Sequence, residues 1–141
     1  MINLLLKTNL FEMKRIIPLL VIILLVKVDS AQYSLNICAS ISEDGPHTQV
    51  SNSFQVDSKG SLLKIFVKSD EKFNTDQLDF KVFYVNNSGG EEALSTFSQK
   101  MDADWNYAWK DVVLFNPGNY RIKIDNDKET YLTSANLNIK R

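Results

Sequence analysis

The segment Asp102-Ala103-Asp104-Trp105-Asn106-Tyr107-Ala108-Trp109 holds the side chains with the most chemistry to offer. In an extended chain alternate residues share a face, so Trp105, Tyr107 and Trp109 project together. If exposed, three such rings form a surface for stacking. A sugar ring presents an apolar C–H face to such a surface, and Asp102, Asp104 and Asn106 would exchange hydrogen bonds with its hydroxyls. If buried, the same rings are core. Large aromatics are highly buried on average, and β-sandwiches commonly place a Trp between their sheets. The core reading is therefore the default for one or two of them. In a mixed arrangement Trp109 turns inward at the start of a strand while Trp105 stays partly exposed in the loop before it. If this chain binds a ligand, the candidate residues are Asp102, Asp104, Trp105, Asn106 and Tyr107. Trp105 and Tyr107 would stack, and the others would supply polar contacts.

Other constellations carry less. Asp102 and Asp104 form one acidic pair, and Asp125, Asp127 and Glu129 form a second group. Calcium takes several closely spaced oxygen ligands, but neither group has the glycine-containing register of an EF-hand loop. Asp and Asn are also favoured in turns for backbone reasons alone, so no metal is assigned. Paired carboxylates can run glycoside hydrolysis, yet nothing in the sequence signals a deep cleft around Asp102 and Asp104. His47 follows Gly45-Pro46 in an expected loop, without the Gly-x-Ser-x-Gly context of a nucleophile elbow. The chain is expected to be non-catalytic and to carry no cofactor.

Composition narrows the field further. The formal net charge is −1, which lacks the basic footprint of a nucleic-acid binder. A single Cys excludes a disulfide framework within one chain, and a single His excludes multi-His metal sites. Cys38 lies among Leu35, Ile37, Ala39 and Ile41. Unpaired Cys is among the most buried residue types, so a core position on a first strand is expected. Asn86-Asn87-Ser88 is a glycosylation sequon. Lys59, Lys64, Lys68, Lys72 and Lys81 are read as sharing an outer face, interleaved with Asp57, Asp70, Asp76 and Asp79 as an ordinary solvated surface.

The elements that must position these residues read as strands. Tyr120, Ile122 and Ile124 alternate with Arg121, Lys123 and Asp125, the cleanest half-buried pattern in the chain. Ile65 and Val67 alternate with Lys64, Phe66 and Lys68. Similar alternation covers Leu78–Val85 and Ala135–Lys140. Weaker candidates are Tyr33–Ile41, Ser53–Val56, Ala93–Gln99 and Tyr107–Phe115. Turn formers separate them: Glu43-Asp44-Gly45-Pro46, Asp57-Ser58-Lys59-Gly60, Asn86 to Gly90, Asn116 to Asn119 and Asp125-Asn126-Asp127. Phe73 to Leu78 has room for one helical turn capped by Asn74 or Thr75. About eight strands at this spacing fit an all-β antiparallel sandwich.

Asn116-Pro117-Gly118-Asn119-Tyr120-Arg121-Ile122-Lys123-Ile124 resembles the Pro-Gly-x-Tyr lead-in to a late strand in bacterial secreted immunoglobulin-like and fibronectin-type-III-like β-sandwich domains. The likeness runs over residues 116–139. It implies an immunoglobulin-like architecture in which the Tyr plugs a corner between sheets. It carries no active site with it. The Cys…Trp…Cys core of antibody domains is absent.

Residues 1–31 read as a cleaved signal peptide. Lys14 and Arg15 precede the uncharged apolar run Ile16–Val26, and small residues at Ser30 and Ala31 suit cleavage. The run is shorter than the ~20 residues that span a bilayer. Met13-Lys14-Arg15 would make a more usual start than Met1. Cys38 follows Asn36-Ile37, which argues against lipoprotein attachment. Residues 32–141 are then one β-sandwich domain, secreted or periplasmic, touching a membrane only through its export signal. The expectation is a non-catalytic recognition or interaction module with an unknown protein or glycan partner and no nucleic acid. The alternatives are a carbohydrate-binding module using an exposed aromatic face, or an assembly subunit that pairs through a sheet edge.

Overall fold

The computed structural model describes residues 32–42, 45–48 and 51–141. The expected signal peptide and the Glu43-Asp44 turn lie outside the described residues. The elements in chain order are β1 (Tyr33–Cys38), β2 (Ser40–Ser42), β3 (Gly45–Thr48), β4 (Ser53–Gln55), β5 (Ser61–Ser69), β6 (Gln77–Val85), β7 (Glu91–Lys100), β8 (Tyr107–Leu114), β9 (Gly118–Asn126) and β10 (Tyr131–Lys140). One sheet has the order β1-β5-β8. The other has the order β4-β10-β9-β6-β7, and β2 pairs with β3 as a separate hairpin. Every pairing is antiparallel except β4 with β10, which run parallel.

Each strand follows from its pattern. On β9, Tyr120, Ile122 and Ile124 are buried while Arg121 and Lys123 face out. On β5, Leu63, Ile65 and Val67 go inward, and on β6 Leu78, Phe80 and Val82 do the same. These residues, with Ile37, Val112, Leu114, Leu137 and Ile139, form one apolar cluster between the sheets. Burying alternate side chains from two sheets in one layer is what makes a sandwich. The eight expected strand regions all appear. The expected Tyr33–Ile41 strand divides into β1 and β2; β3 is additional, and it places Gly45, Pro46 and His47 in a strand rather than in a turn or loop.

In immunoglobulin lettering β1, β5 and β8 are strands A, B and E, while β10, β9, β6 and β7 are G, F, C and C′. The short β4 beside β10 is the A′ strand. Tyr120 opens the F strand, and its hydroxyl donates to the Asn116 carbonyl at 2.7 Å. That is the tyrosine corner of this architecture. The Tyr84 ring meets Tyr120 edge-on, with centroids 5.6 Å apart. The chain is an immunoglobulin-like sandwich, as residues 116–139 implied.

Three expectations are corrected. Phe73–Leu78 forms no helical turn. Asn74 instead adopts a left-handed conformation, and the Thr75 hydroxyl donates to the Gln77 carbonyl at 2.9 Å. A polar side chain that bonds its own backbone offers the chain an alternative to a helix. Cys38 is fully buried but does not belong to the cluster between the sheets. Its register with Lys64 and Asp111 puts it on the outer side of the sheet, where its thiol donates to the Lys64 carbonyl at 3.6 Å. Burial pushes that thiol's pKa up, against a smaller opposing effect of Lys64. Finally, the five lysines do not share a face. Lys64 lies on the three-stranded sheet and pairs with Asp111 at 2.7 Å; Lys81 lies on the five-stranded sheet and pairs with Asp125 at 2.5 Å.

Candidate functional site

β8 is an edge strand of the three-stranded sheet. Its pairing with β5 decides which way every side chain points. Ala108 lies opposite Val67 and Val112 opposite Leu63, so these face the core. Tyr107, Trp109, Asp111 and Val113 therefore leave on the other side. Trp105 is 40% exposed, Tyr107 48% and Trp109 46%. The core reading of these rings is overturned, and so is the mixed reading that turned Trp109 inward. Small Ala108 and branched Val112 are the buried residues of β8 instead.

The rings are ordered relative to one another. Tyr107 and Trp109 have parallel planes, 5° apart, with centroids at 6.2 Å. Phe66, opposite Trp109 on β5, lies 22° from parallel to Tyr107 at 6.1 Å. Phe66 is buried although it points away from the core. It is the residue that sequence reasoning missed. The available signal was an aromatic at an outward position between Lys64 and Lys68.

The loop before β8 is fixed by its backbone. Trp105 N–H donates to the Asp102 carbonyl at 3.0 Å, closing a turn. The Trp105 and Asn106 carbonyls accept from Phe73 N–H at 3.0 Å and Ser69 N–H at 2.8 Å. Lys72 reaches Asp104 at 2.7 Å, an ion pair exposed to solvent. Trp105 thus projects from a loop tied to the β5–β6 connection.

A groove of about 470 Å³ runs along the open side of the sandwich, between edge strands β8 and β7. Its lining includes Trp105, Tyr107, Trp109, Phe97, Gln99 and Asp111. The structure therefore brings together Trp105 and Tyr107 of the expected set, and adds Trp109. Asp102, Asp104 and Asn106 do not line the groove. Its polar groups come from β7 and from the far half of β8, which local sequence could not associate with Trp105. Its volume falls within the range of small-ligand pockets, and its lining combines aromatic rings with a few polar groups.

Two of the acidic residues, Asp104 and Asp125, are in ion pairs. Asn126 accepts from the Lys128 and Thr130 N–H groups at 3.0 and 2.9 Å, so the turn after β9 is built by its own side chain. Asp125 is held by Lys81. Among the described residues no three His, Cys, Asp or Glu side chains converge to hold a metal ion.

No protein-family model and no curated protein matches this chain. Among solved structures it is similar to an immunoglobulin-like protein from Pseudomonas aeruginosa, at 11% identity over 79% of this chain and 92% of that one, with a TM-score of 0.49. A superoxide reductase (neelaredoxin) from Ignicoccus hospitalis is similar at 5% identity over 79% and 80%, with a TM-score of 0.43. A β-D-glucoside glucohydrolase from Trichoderma reesei is similar at 8% identity over 79% of this chain and 19% of that one, with a TM-score of 0.40. At such scores the fold assignment rests on the strand order and the Tyr120 corner.

Proposed function

We propose that this chain is an exported, non-catalytic recognition module that binds carbohydrate along the aromatic side of β8. One observation carries the reading: Trp105, Tyr107 and Trp109 all stand exposed beside the same groove, with two of the rings parallel. Exposed aromatics clustered in a concave site are costly to leave uncovered in water. Their faces complement the apolar faces of sugar rings. Gln99 and Asp111 offer a donor–acceptor amide and a carboxylate for hydroxyl groups. The reading assigns the groove a binding role and no catalytic step.

The test is a glycan-array screen of the purified protein, followed by calorimetric titration of each retained glycan. Trp109→Ala and Tyr107→Ala are expected to weaken binding by at least about tenfold, which is about 1.4 kcal/mol. Their far-UV circular dichroism should stay unchanged. Retention of full affinity in both variants would sink the assignment.

A further inference from the structure

The two sheets expose four edges, and they are not equally protected. β4 is three residues long. β1 runs beside β10 and closes that side of the sandwich, with Leu35 and Ile37 near Ala135. β8 carries Lys110 and Asp111 in its middle. β7 is different. It is ten residues long, exposed or half-exposed throughout, and has no Pro. Its charges sit only at its ends, with Glu91 and Glu92 at the start and Lys100 at the finish. The run Ala93–Gln99 is uncharged, and Leu94 in it is 50% exposed. Leu94 is also the extra residue of a bulge opposite Val82 and Phe83, the edge's one irregularity. Among the described residues nothing pairs with the outer edge of β7. An edge of unpaired N–H and C=O groups without charges or Pro in its interior is a template for another strand.

We infer that β7 pairs with the β7 of a second copy of this chain, antiparallel, about a twofold axis perpendicular to the sheet. The charge pattern selects that occupant. Glu91 is already paired with Lys123 and Arg121 of its own chain, so antiparallel pairing sets Glu92 of each strand against Lys100 of the partner subunit, and the symmetry makes that contact twice. Parallel pairing would set acid against acid. The backbone groups of both edges then satisfy one another, and the two five-stranded sheets become one continuous sheet. This axis leaves both three-stranded sheets on the same side. The grooves beside β8 therefore face each other across the junction, and Phe97 and Gln99 line each of them. The pairing stands independently of what the grooves bind. If they bind glycan, the dimer is bivalent.

Sedimentation velocity across the micromolar range tests this with four proteins: wild type, Lys100→Glu, the double variant Glu92→Lys/Lys100→Glu, and Leu94→Lys. Glu92, Leu94 and Lys100 are exposed, so each variant should keep the wild-type denaturation midpoint when all four are measured at a concentration low enough to be monomeric. Wild type is expected to be a reversible dimer. Lys100→Glu should weaken it by about tenfold or more, the double variant should restore wild-type dissociation, and Leu94→Lys should be monomeric. A monomeric wild type overturns the inference. So does a dimer indifferent to Lys100→Glu and Leu94→Lys, or a charge swap that fails to restore pairing.

Discussion

Phe66 and Tyr107 stack diagonally across the β5–β8 pair, with ring centroids 6.1 Å apart, although both side chains leave the sheet on the side away from the core. Phe66 is 6% exposed and Tyr107 is 48% exposed. One ring is the support and the other is the surface. The outer face of this sheet thus has a small apolar layer of its own, formed by Phe66, Tyr107 and Trp109 and bounded at one end by the Lys64–Asp111 pair.

This layering separates two substitutions that look alike in sequence. Phe66→Ala removes a buried ring and should cost about 3 kcal/mol, the low end of the range for buried Phe. Trp109→Ala removes a half-exposed ring and should cost less than about 1 kcal/mol. Urea denaturation of both variants gives the comparison. Trp105 and Trp109 should also emit at long wavelength and quench readily with acrylamide, read individually through Trp105→Phe and Trp109→Phe.

The corner at Tyr120 is a stability device. Its hydroxyl donates to the Asn116 carbonyl, and burial of the phenol raises its pKa. Tyr120→Phe keeps the ring and removes the bond, leaving a carbonyl short of a partner. The expected loss is about 1–2 kcal/mol, measured as a lower denaturation midpoint with an unchanged slope.

Gly118 begins β9 with φ of 151°, a conformation that side chains rarely adopt. A Cβ there would sit 2.6 Å from the Tyr84 ring. Tyr84 in turn packs on Tyr120, so the clash reaches the corner. Gly118→Ala should destabilise by at least about 1–3 kcal/mol. Adding Tyr84→Ala to that variant should relieve only the collision and leave the backbone strain. Denaturation of the single and double variants gives the interaction energy.

Glu91 bridges β7 to β9. It accepts from Lys123 at 2.6 Å and also from Arg121, and Lys123 contributes most to holding its carboxyl below the ordinary carboxylate value. A depressed folded value means that the charged form is favoured by folding. Its contribution is therefore full above the unfolded value of about 4.3 and is lost as pH falls through the folded value. Glu91→Gln should match wild type more closely at pH 3 than at pH 7. Denaturation midpoints at both pH values supply the check; a gap of equal size at both would contradict it.

The strands were legible because their causes are local. Tyr120, Ile122 and Ile124 are apolar and Arg121 and Lys123 are polar, so one face had to be inside. The turns at Asp57–Gly60 and Asn116–Gly118 announced themselves through residues that bond their own backbone or accept unusual φ. The corner was legible for the same reason, since Tyr120 reaches only four residues back.

What only tertiary structure decided was the direction of β8. Both of its faces are largely apolar and each carries one charge: Tyr107, Trp109, Asp111 and Val113 on one, Ala108, Lys110, Val112 and Leu114 on the other. Alternation identifies a buried face only when the other face is polar, so the pattern left two solutions, and ring size favoured the wrong one. Pairing of Ala108 with Val67 and Val112 with Leu63 chose between them. Packing density across the sandwich then admitted the small side chains and left the indoles outside. The partners of the aromatic groove were hidden for a related reason. Phe97 and Gln99 reach it from the other sheet, brought near by the stacking of two sheets rather than by any local preference.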